Sequence, residues 1–164
     1  MEYRGQISRR LHREHEAIIG LLAHFEQALV RLTTLPPGPE DSLWPSLLAK
    51  LDEALRHEVT RHFALEEEQL FPRLHQHGEG DLADLLAEEH ATIRAVADPL
   101  LDLIRRARRE GLDADGWRSL KMLGLELAER LTSHAQKEEG ALVPLVDDIL
   151  DETTDSAIAM DYTD

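Results

Sequence analysis

The pattern H-x3-E-E-x2-L-[FV]-P occurs twice in this chain, first at His62–Pro72 (HFALEEEQLFP) and again at His134–Pro144 (HAQKEEGALVP). No other feature constrains the fold as strongly, because a His and a Glu four residues apart share a face only on a helix. A shorter signature precedes each copy: Glu14-His15-x2-Ile18 before the first and Glu89-His90-x2-Ile93 before the second. Trp44 and Trp117 also repeat near the predicted helix starts. The chain therefore contains one helix pair in two copies, and duplicated units of this kind bury their apolar faces against each other.

Apolar periodicity predicts four helices. The first runs from about Gln6 to Leu32 on Ile7, Leu11, Ile18, Leu22, Phe25 and Leu29, and stops at Leu35-Pro36-Pro37-Gly38-Pro39. Asp41 or Ser42 can cap the second, which tolerates Pro45 in its first turn and ends near His75, with Pro72 expected to bend or tighten its last turns. After Gly78-Glu79-Gly80, Asp81 is a suitable cap for a third helix with a kink near Pro99, a basic end at Arg105–Arg109 and a stop at Gly111. A fourth follows a loop over 112–116 and runs from Trp117 to Leu150. Four long helices on short loops predict an all-α, antiparallel up-down-up-down four-helix bundle over residues 1–150, with 151–164 an acidic, frayed and flexible tail.

At 164 residues, 42% hydrophobic and 31% charged, the chain has the composition of one soluble globular domain. The formal net charge of −15 opposes binding to nucleic acid and to anionic membranes. There are no cysteines, which excludes disulfides, thiolate ligands and a thiol nucleophile. No apolar h-region opens the chain and no stretch has the length of a membrane span, so a cytoplasmic location is expected.

Two geometric tests point to a site. Side chains on a helix lean toward its N-terminus, so a Glu placed four residues after a His leans back toward it. His15 and His62 lie about 19 and 20 residues from the first loop, roughly 30 Å along each helix, and His90 and His134 both lie about 19 residues from the third. An antiparallel bundle brings all four to one layer. Four imidazoles with Glu66 and Glu138, buried without compensation, would cost several kcal/mol, and a metal cluster supplies that compensation. His24 points to the opposite face, His57 is rotated about 140° from His62, His75 and His77 lie at a helix end, and His12 sits one turn from His15. These are read as surface residues, with His12 a candidate for contact with a ligand residue. Glu67 and Glu139 lie off the ligand stripe, where hydrogen bonding to an imidazole and plain solvation are both open.

These residues resemble the hemerythrin-like family, in particular its HHE cation-binding branch, over about His12 to Pro144. Ferritin-like bundles use Glu-x-x-His instead, and that order is absent here. The resemblance implies a non-haem di-iron centre bridged by two carboxylates, with His15, His62, Glu66, His90, His134 and Glu138 as metal ligands. One departure stands out: respiratory hemerythrins use five histidines with an H-x3-H helix, whereas here Arg94 follows His90 by four.

Imidazole and carboxylate without thiolate suit iron, or manganese, better than Cu(I) or structural zinc. The expected function is binding of, or reaction with, a small oxidant (dioxygen, peroxide or nitric oxide) in sensing, detoxification or iron handling. The alternative is a non-catalytic, metal-stabilised bundle that engages a protein partner through its acidic surface and tail. Glu58, four residues before His62, is expected to lean away from the metals and leave solvent at an open coordination position, while its counterpart Arg130 cannot ligate.

Overall fold

The computed structural model describes residues 2–162, among which there is no strand. α1 is Gln6–Arg31. α2 covers 43–76 and α4 covers 114–149, both with wider turns inside them. α3 is Gly80–Arg109, and α5 is Glu152–Asp161. α4 starts earlier than its apolar pattern suggests because Asp113 accepts a hydrogen bond from Gly116 N at 2.7 Å and caps it. The second helix begins where expected, with Asp41 accepting from Leu43 N at 3.0 Å.

Contacts at both ends fix the helix directions. Gly5 N donates to Asp147 and Lys121 to the carbonyl of Leu32, so α1 and α4 run oppositely. Arg94 pairs with Glu67 and Arg108 with Asp52, so α2 and α3 do the same. α1 packs tightly on α4 at Gly124, where a Cβ would lie 2.7 Å from both Leu29 Cδ1 and Phe25 Cζ. Trp44 and Trp117 meet edge to face, ring centroids 5.2 Å apart, at the end of the bundle away from the chain termini. No helix among the described residues is long and apolar enough to cross a membrane.

The apolar core is divided. One cluster contains Ile18, Leu22, Phe25, Leu51, Leu55, Ile93, Leu100, Leu127 and Leu131. The other contains Ile7, Leu11, Leu70, Leu74, Leu86, Leu142, Val146, Ile158 and Tyr162. Between them lies a layer of buried polar side chains, so the site has apolar packing above and below.

Residues 152–162 are not the frayed tail their acidity suggests, and 163–164 of that expected tail lie outside the described residues. Asp151 caps α5 by accepting from Thr154 N at 2.7 Å, and Ile158 and Tyr162 are buried in the second cluster. Asp155 accepts from Gln6 N at 2.8 Å and Ile7 N at 3.0 Å, satisfying two of the orphan donors that open α1. Its charge also faces the positive end of that helix dipole. Asp155→Ala should therefore lower stability by about 1–2 kcal/mol, as loss of a helix cap does. That is a fall in Tm of roughly 3–6 °C for a domain this size. Calorimetry showing an unchanged Tm would contradict this role.

Candidate metal centre

His15 on α1, His62 and Glu66 on α2, His90 on α3, and His134 and Glu138 on α4 meet in the polar layer, each no more than 2% exposed. They form two foursomes: His15, His62, Glu66 and Glu138, and then Glu66, His90, His134 and Glu138. Within each, one ligand-type atom per residue lies within 4.8 Å of all the others. Both carboxylates belong to both foursomes. Glu138 Oε1 lies 3.0 Å from His15 Nε2 and 3.3 Å from His134 Nε2, while the two oxygens of Glu66 lie 3.4 Å from His62 Nε2 and 3.1 Å from His90 Nε2. All six residues singled out in the sequence are thus brought together.

Local backbone geometry helps place them. π-helical turns occupy Glu58–His62, Glu66–Leu70 and Glu138–Leu142, with α-helical Phe63–Leu65 between the first two. Side chains four apart on an α-helix drift by about 40° to one side. A π turn bonds i to i+5 and is wider, so four residues fall short of a full turn and drift the other way. Alternating the two keeps Glu58, His62 and Glu66 on one line. Pro72 and Pro144 follow the two later π turns at the same offset; each lacks an N–H and crowds the preceding turn, so the chain widens upstream where tightening was expected. Glu58 follows from the first π turn. It does not lean away but is buried at 2% exposure, with Oε1 3.8 Å from His62 Nε2.

A ring of four glutamates faces the imidazoles from outside. Nδ1 of His15 donates to Glu139 at 2.6 Å, that of His62 to Glu14 at 3.2 Å and that of His134 to Glu89 at 2.8 Å. Nδ1 of His90 faces Glu67 at a longer 3.6 Å, and Arg94 holds that carboxylate with bonds of 2.9 and 3.0 Å. Two of these contacts run within a repeat and two between repeats, as the duplication requires. Such partners fix the tautomer so that Nε2 faces inward. Glu67 and Glu139 therefore face imidazoles, and Glu14 and Glu89, which the reading of the ligands passed over, were marked by the repeated Glu-His dipeptide. His12 donates to Glu139 at 2.7 Å, and Glu14 also accepts from His57 at 2.9 Å and Tyr162 at 2.6 Å, so His57 is tied to the site where a surface role was expected. Phe63 stacks on His90, centroids 3.7 Å apart and planes 5° from parallel. His24, His75 and His77 stay outside the layer, on the surface.

The donor set fits a cation. Both oxygens of Glu66, one of Glu138, one of Glu58, and Nε2 of His90 and His134 are buried without a hydrogen bond. Glu66 and His90 approach to 3.1 Å without aligning as donor and acceptor, an arrangement that suits two ligands facing a shared ion. Nitrogen and carboxylate oxygen without sulfur is a donor set that first-row divalent cations accept.

Without a cation, protons carry the compensating charge. Burial works to lower His15 and His134, but Glu138, with Glu139 and Glu89 behind, outweighs it and raises both to about 9. Burial works to raise Glu138, but His134, His15 and His62 hold it well below the usual carboxylate range. Burial likewise opposes ionisation of Glu14, but His62, Tyr162 and His57 hold it at about 2. Burial pushes Glu58 up, against His62 and His15. Metal uptake by the metal-free protein should therefore displace protons, with apparent affinity rising between pH 6.5 and 9 by about tenfold per pH unit for each proton released. Competitive Mn(II) titrations at three pH values would show it, and a flat affinity would contradict it. The metal-free fold should lose the histidine contribution as pH rises through about 9, and the Glu14 contribution as pH falls from 4.5 toward about 2.

The chain matches the family profile described as Hemerythrin HHE cation binding domain over residues 6–154. No curated protein matches it.

Proposed function

The chain belongs to the hemerythrin HHE cation-binding domain family, and from that membership we propose that it holds a non-haem di-iron centre, with manganese the alternative ion, that binds or reacts with a small oxidant. The observation that carries this reading is the pair of buried foursomes sharing Glu66 and Glu138. His15 and His62 would hold one ion and His90 and His134 the other, with both carboxylates common to the two. Bound there, iron supplies one-electron redox chemistry and Lewis acidity toward dioxygen, peroxide or nitric oxide.

The residues around the ligands orient and insulate. Glu139, Glu14 and Glu89 accept from Nδ1 of His15, His62 and His134, which holds these rings with Nε2 toward the centre, and Glu67 faces Nδ1 of His90 at 3.6 Å. The two apolar clusters exclude water above and below the layer. Arg94 is engaged with Glu67 and lies over the Phe63 ring at 5.2 Å, so the position that would carry a fifth histidine instead supports His90 through Glu67 and Phe63. A set of four histidines supports reaction with an oxidant over its reversible carriage. The alternative of a partner-binding acidic tail gains less support, because Asp147 and Asp155 are engaged by the start of α1.

Loading the protein with iron and titrating azide or nitric oxide tests the proposal. New charge-transfer bands that saturate with added ligand are expected. An iron-loaded spectrum that no small ligand alters would contradict it.

A further inference from the structure

We propose that Glu58 is a seventh protein ligand, to the ion of the His15–His62 foursome, so that the two metal positions are unequal and small exogenous anions or diatomics bind only at the His90–His134 ion. This rests on the two-ion reading above. The Glu58 carboxylate is 2% exposed, and its Oε1 has no hydrogen-bond partner. It lies 3.8 Å from His62 Nε2, the nitrogen that also faces Glu66 at 3.4 Å and Glu138 at 3.8 Å. A carboxylate oxygen buried beside a ligand imidazole and without a hydrogen bond is costly unless a cation meets it. The π turn at Glu58–His62 is what puts Glu58 in line with His62 and Glu66.

The other repeat has no equivalent. Arg130 stands four residues before His134, and its guanidinium is half exposed and bonded to Glu126 at 3.0 Å. Two imidazoles and two shared carboxylates give each ion four protein donors out of about six positions. A shared oxygen would take a fifth at each ion. Glu58 then closes the sixth on the His15–His62 side, and one position stays open on the other.

The surface clefts agree with that division. Between α1 and α2 a cleft of about 850 Å³, lined by Arg13, Lys50 and Glu14 among others, ends on Glu58, so ligation by Glu58 closes this approach. On the α3–α4 face a cleft of about 290 Å³ is lined by Glu89, Ile93, Ser133 and His134, whose Nδ1 meets Glu89. Of these clefts, only the first is lined by a carboxylate among the seven proposed ligands.

The test compares iron-loaded wild-type, Glu58→Ala and Glu58→Gln proteins by iron content, Mössbauer spectroscopy and azide titration. Wild type should hold about two irons in two distinct quadrupole doublets and bind about one azide per chain. In Glu58→Ala the doublets should converge and azide stoichiometry should rise to about two. Glu58→Gln preserves shape and carries the test if the alanine variant unfolds: its doublet for the His15–His62 ion should shift and it should bind more than one azide. Variants that keep two irons with unchanged doublets and azide stoichiometry would overturn this inference alone. Wild type with fewer than two irons would overturn it together with the reading beneath it.

Discussion

Stripping metal from the loaded protein should lower its Tm by roughly 20 °C. A ligand that binds only the folded state stabilises it by about 4 kcal/mol when present at a thousand times its dissociation constant. Two sites give about 8 kcal/mol, and a domain of this size shifts by about 2–4 °C per kcal/mol. The loss is large because removal leaves buried lone pairs on Glu58, Glu66, Glu138, His90 and His134 in a layer closed on both sides by apolar side chains. Protons on His15 and His134 recover part of it near neutral pH, so the gap should widen as pH rises toward about 9. Calorimetry of the loaded and chelator-treated protein measures the gap directly. Equal Tm values would show that the layer is stable without a cation.

The second large effect separates the shared ligands from the terminal ones. Glu138→Ala should reduce iron from about two per chain to well under one, because its carboxylate lies against His15, His62 and His134 and so serves both foursomes. His15→Ala removes one donor from one foursome and should leave about one iron bound. Glu138 is also the main counter-charge to the His15 and His134 imidazoles, so the Glu138→Ala fold should be less stable at neutral pH, where both would lose their partner. Glu138→Gln keeps the shape and separates loss of charge from collapse of the core. Retention of both irons in Glu138→Ala would refute the bridging role.

The sequence made some of this legible and hid the rest for identifiable reasons. That the six candidate ligand residues would meet could be read because duplication printed the same residue order twice and helix geometry placed them at one depth. The ring of glutamates was half legible: the Glu-His and Glu-Glu pairs repeat, but deciding that Glu14 reaches His62 across to α2, and not His15 beside it, requires the packing of α1 on α2. The inward position of Glu58 is not legible, because an ideal α-helix would turn it away and no proline or glycine marks the π turn at Glu58–His62 that swings it inward. α5 was missed because it has no apolar stripe. Its position depends on Asp155 meeting the start of α1 and on Ile158 and Tyr162 filling the second cluster, contacts made to a segment about 150 residues earlier in the chain. The angle of His57 from His62 points it away from the site, but Glu14 and Tyr162 approach it from other parts of the chain.

The most direct test is anomalous diffraction at the iron edge from crystals of the iron-loaded protein. Two peaks are expected, about 3.5–4 Å apart as in other two-metal sites, one beside His15 and His62, the other beside His90 and His134, and both in contact with Glu66 and Glu138. A single peak, peaks outside this layer, or none at all would contradict the two-ion centre.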